Sequence, residues 1–190
     1  MQTRTISLAL VSVMACGIGG TPDPRELEGA IAYLAVAIER DDPSMLFRAV
    51  DARARHAMIS IVADRQRAAE IIRVDYPEDQ RAAALAELGD AATVEDATAL
   101  FALRCDTACR HELSQQLGAP TEQRVEGDEL VVTTVRGGTL RFHKPSGTDA
   151  WYGWVWETDA LDAERDHANR DLRQIEQNAE TYRRRRALEE

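Results

Sequence analysis

Apolar residues recur at helical spacing through the first half of the chain and switch to strand-like alternation near residue 130. Leu27, Ile31, Leu34 and Ile38 fall three or four apart on one helical face, with Tyr33, Val36 and several alanines on the others. Asp23-Pro24 supplies an N-cap followed by proline at the first helical position, and Glu26 is placed to reach back. A central, well-buried first helix is therefore expected from there. Asp42-Pro43 repeats the start signal. From Ser44 to about Val74, residues Leu46, Val50, Ala54, Ala57, Met58, Ile61 and Val62 mark one apolar face. That stretch is long for a single globular helix, and a bend or break is expected within it. Pro77 opens a third helix that Gly89 closes, and Thr93 with Asp96 caps another running to about Arg104. A further helix ends at Leu117, before Gly118 and Pro120.

The period then changes. Leu130–Val135 is rich in β-branched residues, Gly137-Gly138 is a two-residue hairpin signal, and Thr139–His143 follows. With that turn, Val135 faces Leu140 and Thr133 faces Phe142 on the apolar side. Arg141 and His143 fall on the polar side with Val132 and Thr134. A third strand is expected at Ala150–Trp156, after the Lys144–Asp149 loop. The fold class is α+β: an N-terminal helical bundle packed on a small antiparallel three-stranded sheet, followed by a long charged C-terminal helix.

That helix, Glu157–Glu190, carries Leu161, Ala168, Ile175 and Tyr182 at seven-residue intervals, with Leu172 and Ala179 interleaved. The stripe is coiled-coil-like and is interrupted at two seam positions by Arg165 and Arg186. It projects, packs back along the body, or pairs with a partner; an envelope protein partner is the expectation carried forward. The run Arg183–Arg186 is either a solvated helix end whose cations suit the macrodipole or a contact for anionic lipid or an acidic partner.

Charge narrows the function classes. The formal net charge is −10, from 33 acidic and 23 basic residues. Phosphate binding needs clustered positive charge, so no nucleic-acid partner is expected. Lys144 is the sole lysine.

The N-terminus carries an address. A short positive n-region with Arg4 is followed by an apolar stretch, Thr5–Met14, and then Ala15-Cys16. That stretch is too short to span a bilayer as a helix and has the layout of a secretory signal. Val13-Met14-Ala15-Cys16 resembles the bacterial lipobox, with an aliphatic residue at −3, a small one at −1 and the cysteine that becomes the new N-terminus; Met14 is larger than the usual −2 residue. The resemblance implies a diacylglycerol thioether and an N-acyl chain on Cys16, and several chains anchor far more firmly than one. Gly17 at +2 is not the aspartate that retains such proteins in the inner membrane, so the outer membrane facing the periplasm is implied. Residues 1–15 are then the signal peptide, 16–22 a lipidated tether of about 20 Å reach, 23–156 the α+β domain, and 157–190 the charged helix.

Candidate chemistry is sparse. In an oxidising compartment Cys105 and Cys109 are expected to form a disulfide, particularly if Asp106 caps a new helix and leaves a kink between them. A metal held by both cysteines with His111 and Asp106, or a pair of free thiols, are the alternatives. Trp151, Tyr152, Trp154 and Trp156 form the densest aromatic patch. Alternation puts Tyr152, Trp154 and Trp156 on one face, either as core or as a stacking surface for a sugar, glycan strand or apolar ligand. His56 and His167 read as solvated residues, whereas His143 near Arg141 is the acid–base candidate. No nucleophile elbow, phosphate loop, dinucleotide fingerprint or HExxH appears, so no catalytic residue, metal or cofactor is assigned.

Ala32–Arg55, a helix ending at an acidic turn before a second helix, also resembles the opening of NTF2-like domains. The resemblance implies a curved antiparallel sheet behind the helices and carries over no site residue. Two functional expectations follow. One is a lipid-anchored envelope protein with a structural or interaction role. The other is a periplasmic ligand-binding or hydrolytic domain using Tyr152, Trp154, Trp156 and His143.

Overall fold

A computed structural model describes residues 21–144 and 150–189. Helix α1 (Leu27–Glu39) begins later than the Asp23-Pro24 signal suggests. Asp23 instead accepts from the backbone N–H of Arg25 at 3.0 Å and pairs with its guanidinium at 2.6 Å, and that ion pair holds its carboxyl below the usual range. Glu26 occupies the N-cap without a side-chain bond. Asp42 does cap α2 (Pro43–Ala49), accepting from the Met45 N–H at 2.8 Å.

The break expected in the long helical stretch falls at Val50-Asp51. Both residues leave helical geometry, and Asp51 then caps α3 (Ala52–Asp75) by accepting from the N–H groups of Arg53 and Ala54. Helices α4 (Glu78–Ala86), α5 (Ala97–Arg104) and α6 (Thr107–Gln116) follow, with a short 3₁₀ turn at Asp90–Ala92. Asp96 caps α5 through the Ala99 N–H, whereas Thr93 closes the preceding 3₁₀ turn and takes no part in that cap. Asp106 caps α6, accepting from the Ala108 and Cys109 N–H groups, and the resulting kink brings Cys105 and Cys109 into a disulfide.

The sheet has four antiparallel strands in sequential order rather than three: β1 (Pro120–Glu126), β2 (Glu129–Thr134), β3 (Thr139–His143) and β4 (Gly153–Trp154). Strand β1 is almost wholly exposed along its length, so it carries no alternation to betray it; its partner β2 holds it in place by backbone pairing. The β2–β3 register also differs from the two-glycine hairpin. The turn is Val135-Arg136-Gly137, with Gly137 at φ +79°, and the Gly137 N–H donates to Thr134 O while the Thr134 N–H donates to Gly138 O. A three-residue loop with glycine in the left-handed position gives this bulged closure. Val132 therefore pairs with Leu140 and Leu130 with Phe142. Val132 and Thr134 lie on the buried side, and Val135 is exposed at the turn. The expected third strand shrinks to two residues: ahead of it the Tyr152 N–H donates to Pro24 O, Trp154 O accepts from the Asp51 N–H, and the Val155 N–H still donates to Arg141 O of β3.

Helix α7 (Thr158–Glu189), about 48 Å long, packs back along α3 with the two running parallel. Leu161, Ala168, Leu172 and Ala179 are its buried residues, and they are members of the heptad stripe. Ion pairs mark the register from end to end: Arg53–Asp162, Arg65–Asp171 at 2.6 Å, Arg67–Glu176 at 2.9 Å, and Asp75 with both Arg183 and Arg186 at 3.1 Å. Arg186, a seam position, thus meets a carboxylate at the far end of α3. A polar residue in an apolar seam fixes register in this way. The main core lies among α1, α2, α3, α5 and the inner sheet face; a smaller one joins α3, the α4 region and α7.

Candidate functional site

The corner between α2 and α3, the start of β2 with polar residues of β3, and the start of α7 enclose a cleft of about 720 Å³. Asp51 is its structural centre. Buried to 4% exposure, its carboxylate caps α3 through one oxygen and accepts from the Thr158 hydroxyl at 2.8 Å through the other. Its own N–H donates to Trp154 O at 2.9 Å. One residue thereby ties α3, β4 and α7 together. The fit is close: a Cβ added at Gly153 would lie 2.5 Å from the Asp51 Cα.

Charges around the cleft are mostly matched. Arg141 pairs with Glu129 at 2.8 Å and Glu126 at 3.1 Å, and the bond to Glu129 raises the arginine further above its ordinary value. Glu126 is held below the usual carboxylate range, chiefly by its bond from Arg124. Arg53 is raised in turn by its bond to Asp162. His143 Nδ1 sits 3.5 Å from Asp128, and His56 lines the same cleft.

A side pocket of about 180 Å³ opens behind His143, which lines both spaces along with Asp51 and Ala52. Its remaining walls are Arg48, Arg55, Trp151, Tyr152 and neighbouring backbone. Lys144 Nζ lies 5.0 Å above the Tyr152 ring, and Trp151 leans on Tyr33 with centroids 6.0 Å apart.

The structure thus separates the aromatic residues expected to act together. Trp154 and Trp156 are 8% and 9% exposed and belong to the core, where Trp156 meets Phe101 edge-on at 5.0 Å. Tyr152 is half-buried against Phe142, and Trp151 is exposed. Only Tyr152 and His143 of the expected ligand surface reach the pocket, joined by Trp151. Cys105 and Cys109 lie apart, at the α5–α6 kink. Cys16 falls outside the described residues.

The arrangement offers hydrogen bonding, charge and aromatic faces. Among the described residues, no group of three His, Cys, Asp or Glu is placed to hold a metal ion, and no helix is long and apolar enough to cross a membrane. The contributions of Arg48, Arg55 and Asp51 were not legible beforehand. The only signal was the aspartate two residues ahead of Arg53, which reads as a helix cap. Comparison with family models, with curated proteins and with solved structures gives no match.

Proposed function

We propose that the protein is a lipid-anchored lipoprotein of the bacterial envelope, acylated at Cys16, whose folded domain acts by binding. The observation that carries this reading is the cysteine arithmetic. Of three cysteines, Cys105 and Cys109 form a disulfide, a bond that persists in oxidising compartments, and the third stands at the end of Val13-Met14-Ala15-Cys16. A single thiol in lipobox context after an apolar leader is the chemistry that lipidation needs. Gly17 favours the outer membrane, with the domain facing the periplasm.

The interaction role is retained in altered form. The apolar stripe of α7 is occupied by α3 of the same chain, so an envelope partner would meet the outer face of that helix. Arg183 and Arg186 are engaged by Asp75, and Arg184 pairs with Glu180, which ties three of the four terminal arginines to carboxylates. The second reading, a ligand-binding domain of NTF2-like kind, is favoured by one observation. His143 stands on the wall shared by the cleft and its side pocket.

Intact mass of the protein expressed in a bacterial host, beside Cys16→Ser, tests the anchor. Loss of Met1–Ala15 with added acyl mass, absent from the variant, is the expected result. An unacylated product cleaved after Ala15 or Gly17 would overturn the lipid anchor and leave a secreted binding domain.

A further inference from the structure

The side pocket behind His143 holds two arginines with no counter-charge among the described residues. Arg48 closes α2 and Arg55 belongs to the first turn of α3; the corner at Val50-Asp51 turns both toward one space. Among the described residues neither guanidinium has an ion-pair partner. Arg48 has only a 3.3 Å bond from its Nε to Ser44 O. The Arg55 Nε is buried with no hydrogen-bond partner at all, the only side-chain nitrogen or oxygen so placed among the described residues. This is unexpected in a chain with 33 acidic residues and 23 basic ones, where most arginines around the cleft have found a carboxylate.

The one acid among the described lining residues does not fill the gap. Asp51 lines the same pocket, but its two oxygens are engaged by the α3 N-terminus and by Thr158. A buried donor left unsatisfied is costly, and an acceptor brought by a ligand or an ordered water relieves that cost. The same pocket is lined by Trp151, exposed, and Tyr152, half-buried. The pocket is small by the standard of drug-sized sites, which begin near 300 Å³. It suits one anionic group with an attached ring lying partly outside.

We propose that the Arg48–Arg55 pocket binds a carboxylate carried on a six-membered ring, with the carboxylate oxygens accepting from the two guanidinium groups and the ring lying against Trp151 and Tyr152. The planar guanidinium fork matches a carboxylate bidentately, and aromatic faces accept either sugar C–H groups or another ring. Two sources share this chemistry, a sugar acid and an aromatic acid. The inference deepens the ligand-binding reading and is independent of the lipid, so Cys16→Ser is expected to bind equally well.

The purified full chain in detergent is titrated with glucuronate, benzoate, glucose and inorganic phosphate, following tryptophan fluorescence and heat. One or both ring acids are expected to saturate at millimolar concentration or below, with glucose and phosphate weaker by about tenfold. Glucuronate above benzoate assigns the sugar acid, and the reverse assigns the aromatic acid. Arg48→Gln and Arg55→Gln each lower affinity about tenfold, with folding checked by circular dichroism. Trp151→Ala weakens the ring acids and leaves phosphate unchanged. If Arg55→Gln unfolds the chain, Arg48→Gln still decides. Absence of saturation by either acid, affinities unmoved by Arg48→Gln, or phosphate binding as tightly as both acids would each overturn the proposal.

Discussion

Leu172→Ala asks whether α7 lies on α3 in solution or is free for a partner. Leu172 is 7% exposed, in a cluster with Ala68, Ala69 and Ile72 of α3 and with Tyr76, which follows that helix. Truncation removes three carbons, about 2.4 kcal/mol of transfer free energy at about 0.8 kcal/mol each. A residual cavity adds to this, toward the roughly 3–5 kcal/mol found for fully enclosed leucines. The cluster is small, and half-buried Ile175 and Tyr182 at its rim have room to close in. The lower end is therefore expected, about 2.5 kcal/mol. For a domain of this size that lowers Tm by roughly 5–10 °C.

The assay is thermal and urea unfolding followed by circular dichroism, with Ile59→Ala as control. Ile59 is on α3 too, but half exposed, and its truncation is expected to change stability by less than about 1 kcal/mol. Combining Leu172→Ala with Ile72→Ala adds a second readout. Residues sharing one packed cluster couple by about 0.5–3 kcal/mol, whereas independent sites add. A Leu172→Ala protein as stable as the Ile59→Ala control, with no coupling to Ile72, would refute the docked helix. The heptad stripe would then be available to a partner.

Two further outcomes follow from local geometry and burial. Gly153→Ala forces its Cβ to within 2.5 Å of the Asp51 backbone, so β4 and the α3 start must part and their 2.9 Å backbone bond lengthens. A loss of about 1–3 kcal/mol is expected by urea denaturation, and an unchanged midpoint would show that the corner has room for a methyl group. Burial raises the Tyr76 phenol above its ordinary value of about 10. The folded state therefore holds this proton more tightly than the unfolded chain. Stability from this group is complete below about pH 10 and falls as pH rises through the folded value. Tyr76→Phe should flatten that alkaline decline, and an identical slope in both proteins would count against the buried phenol.

Some features were legible because their causes are local. Asp42-Pro43 and Asp106 act on N–H groups two or three residues away, so the amino-acid order alone locates those helix starts. The same short range let Asp106 announce the kink that joins Cys105 to Cys109. The heptad run likewise marked α7 as a long helix with one apolar face. Asp23-Pro24 misled for a related reason: Arg25, immediately adjacent, competes for the Asp23 carboxylate.

By itself, then, the sequence determined the α+β class, most helix starts and the apolar stripe, and favoured the disulfide over a metal site or free thiols, all from spacing within a few turns. Only the tertiary structure decided what those parts face. Strand β1, exposed along almost its whole length, exists because β2 supplies backbone partners. The β2–β3 register follows from Gly137 alone adopting the left-handed conformation within the glycine pair. Parallel packing of α7 on α3 pairs residues about a hundred positions apart, from Arg65–Asp171 to Asp75–Arg186. The arginine pocket arises where the Val50-Asp51 corner, the end of β3 and the Trp151–Gly153 segment meet. Periodicity records which face of an element is apolar; which neighbour covers that face depends on chain reversal and steric fit across the whole fold.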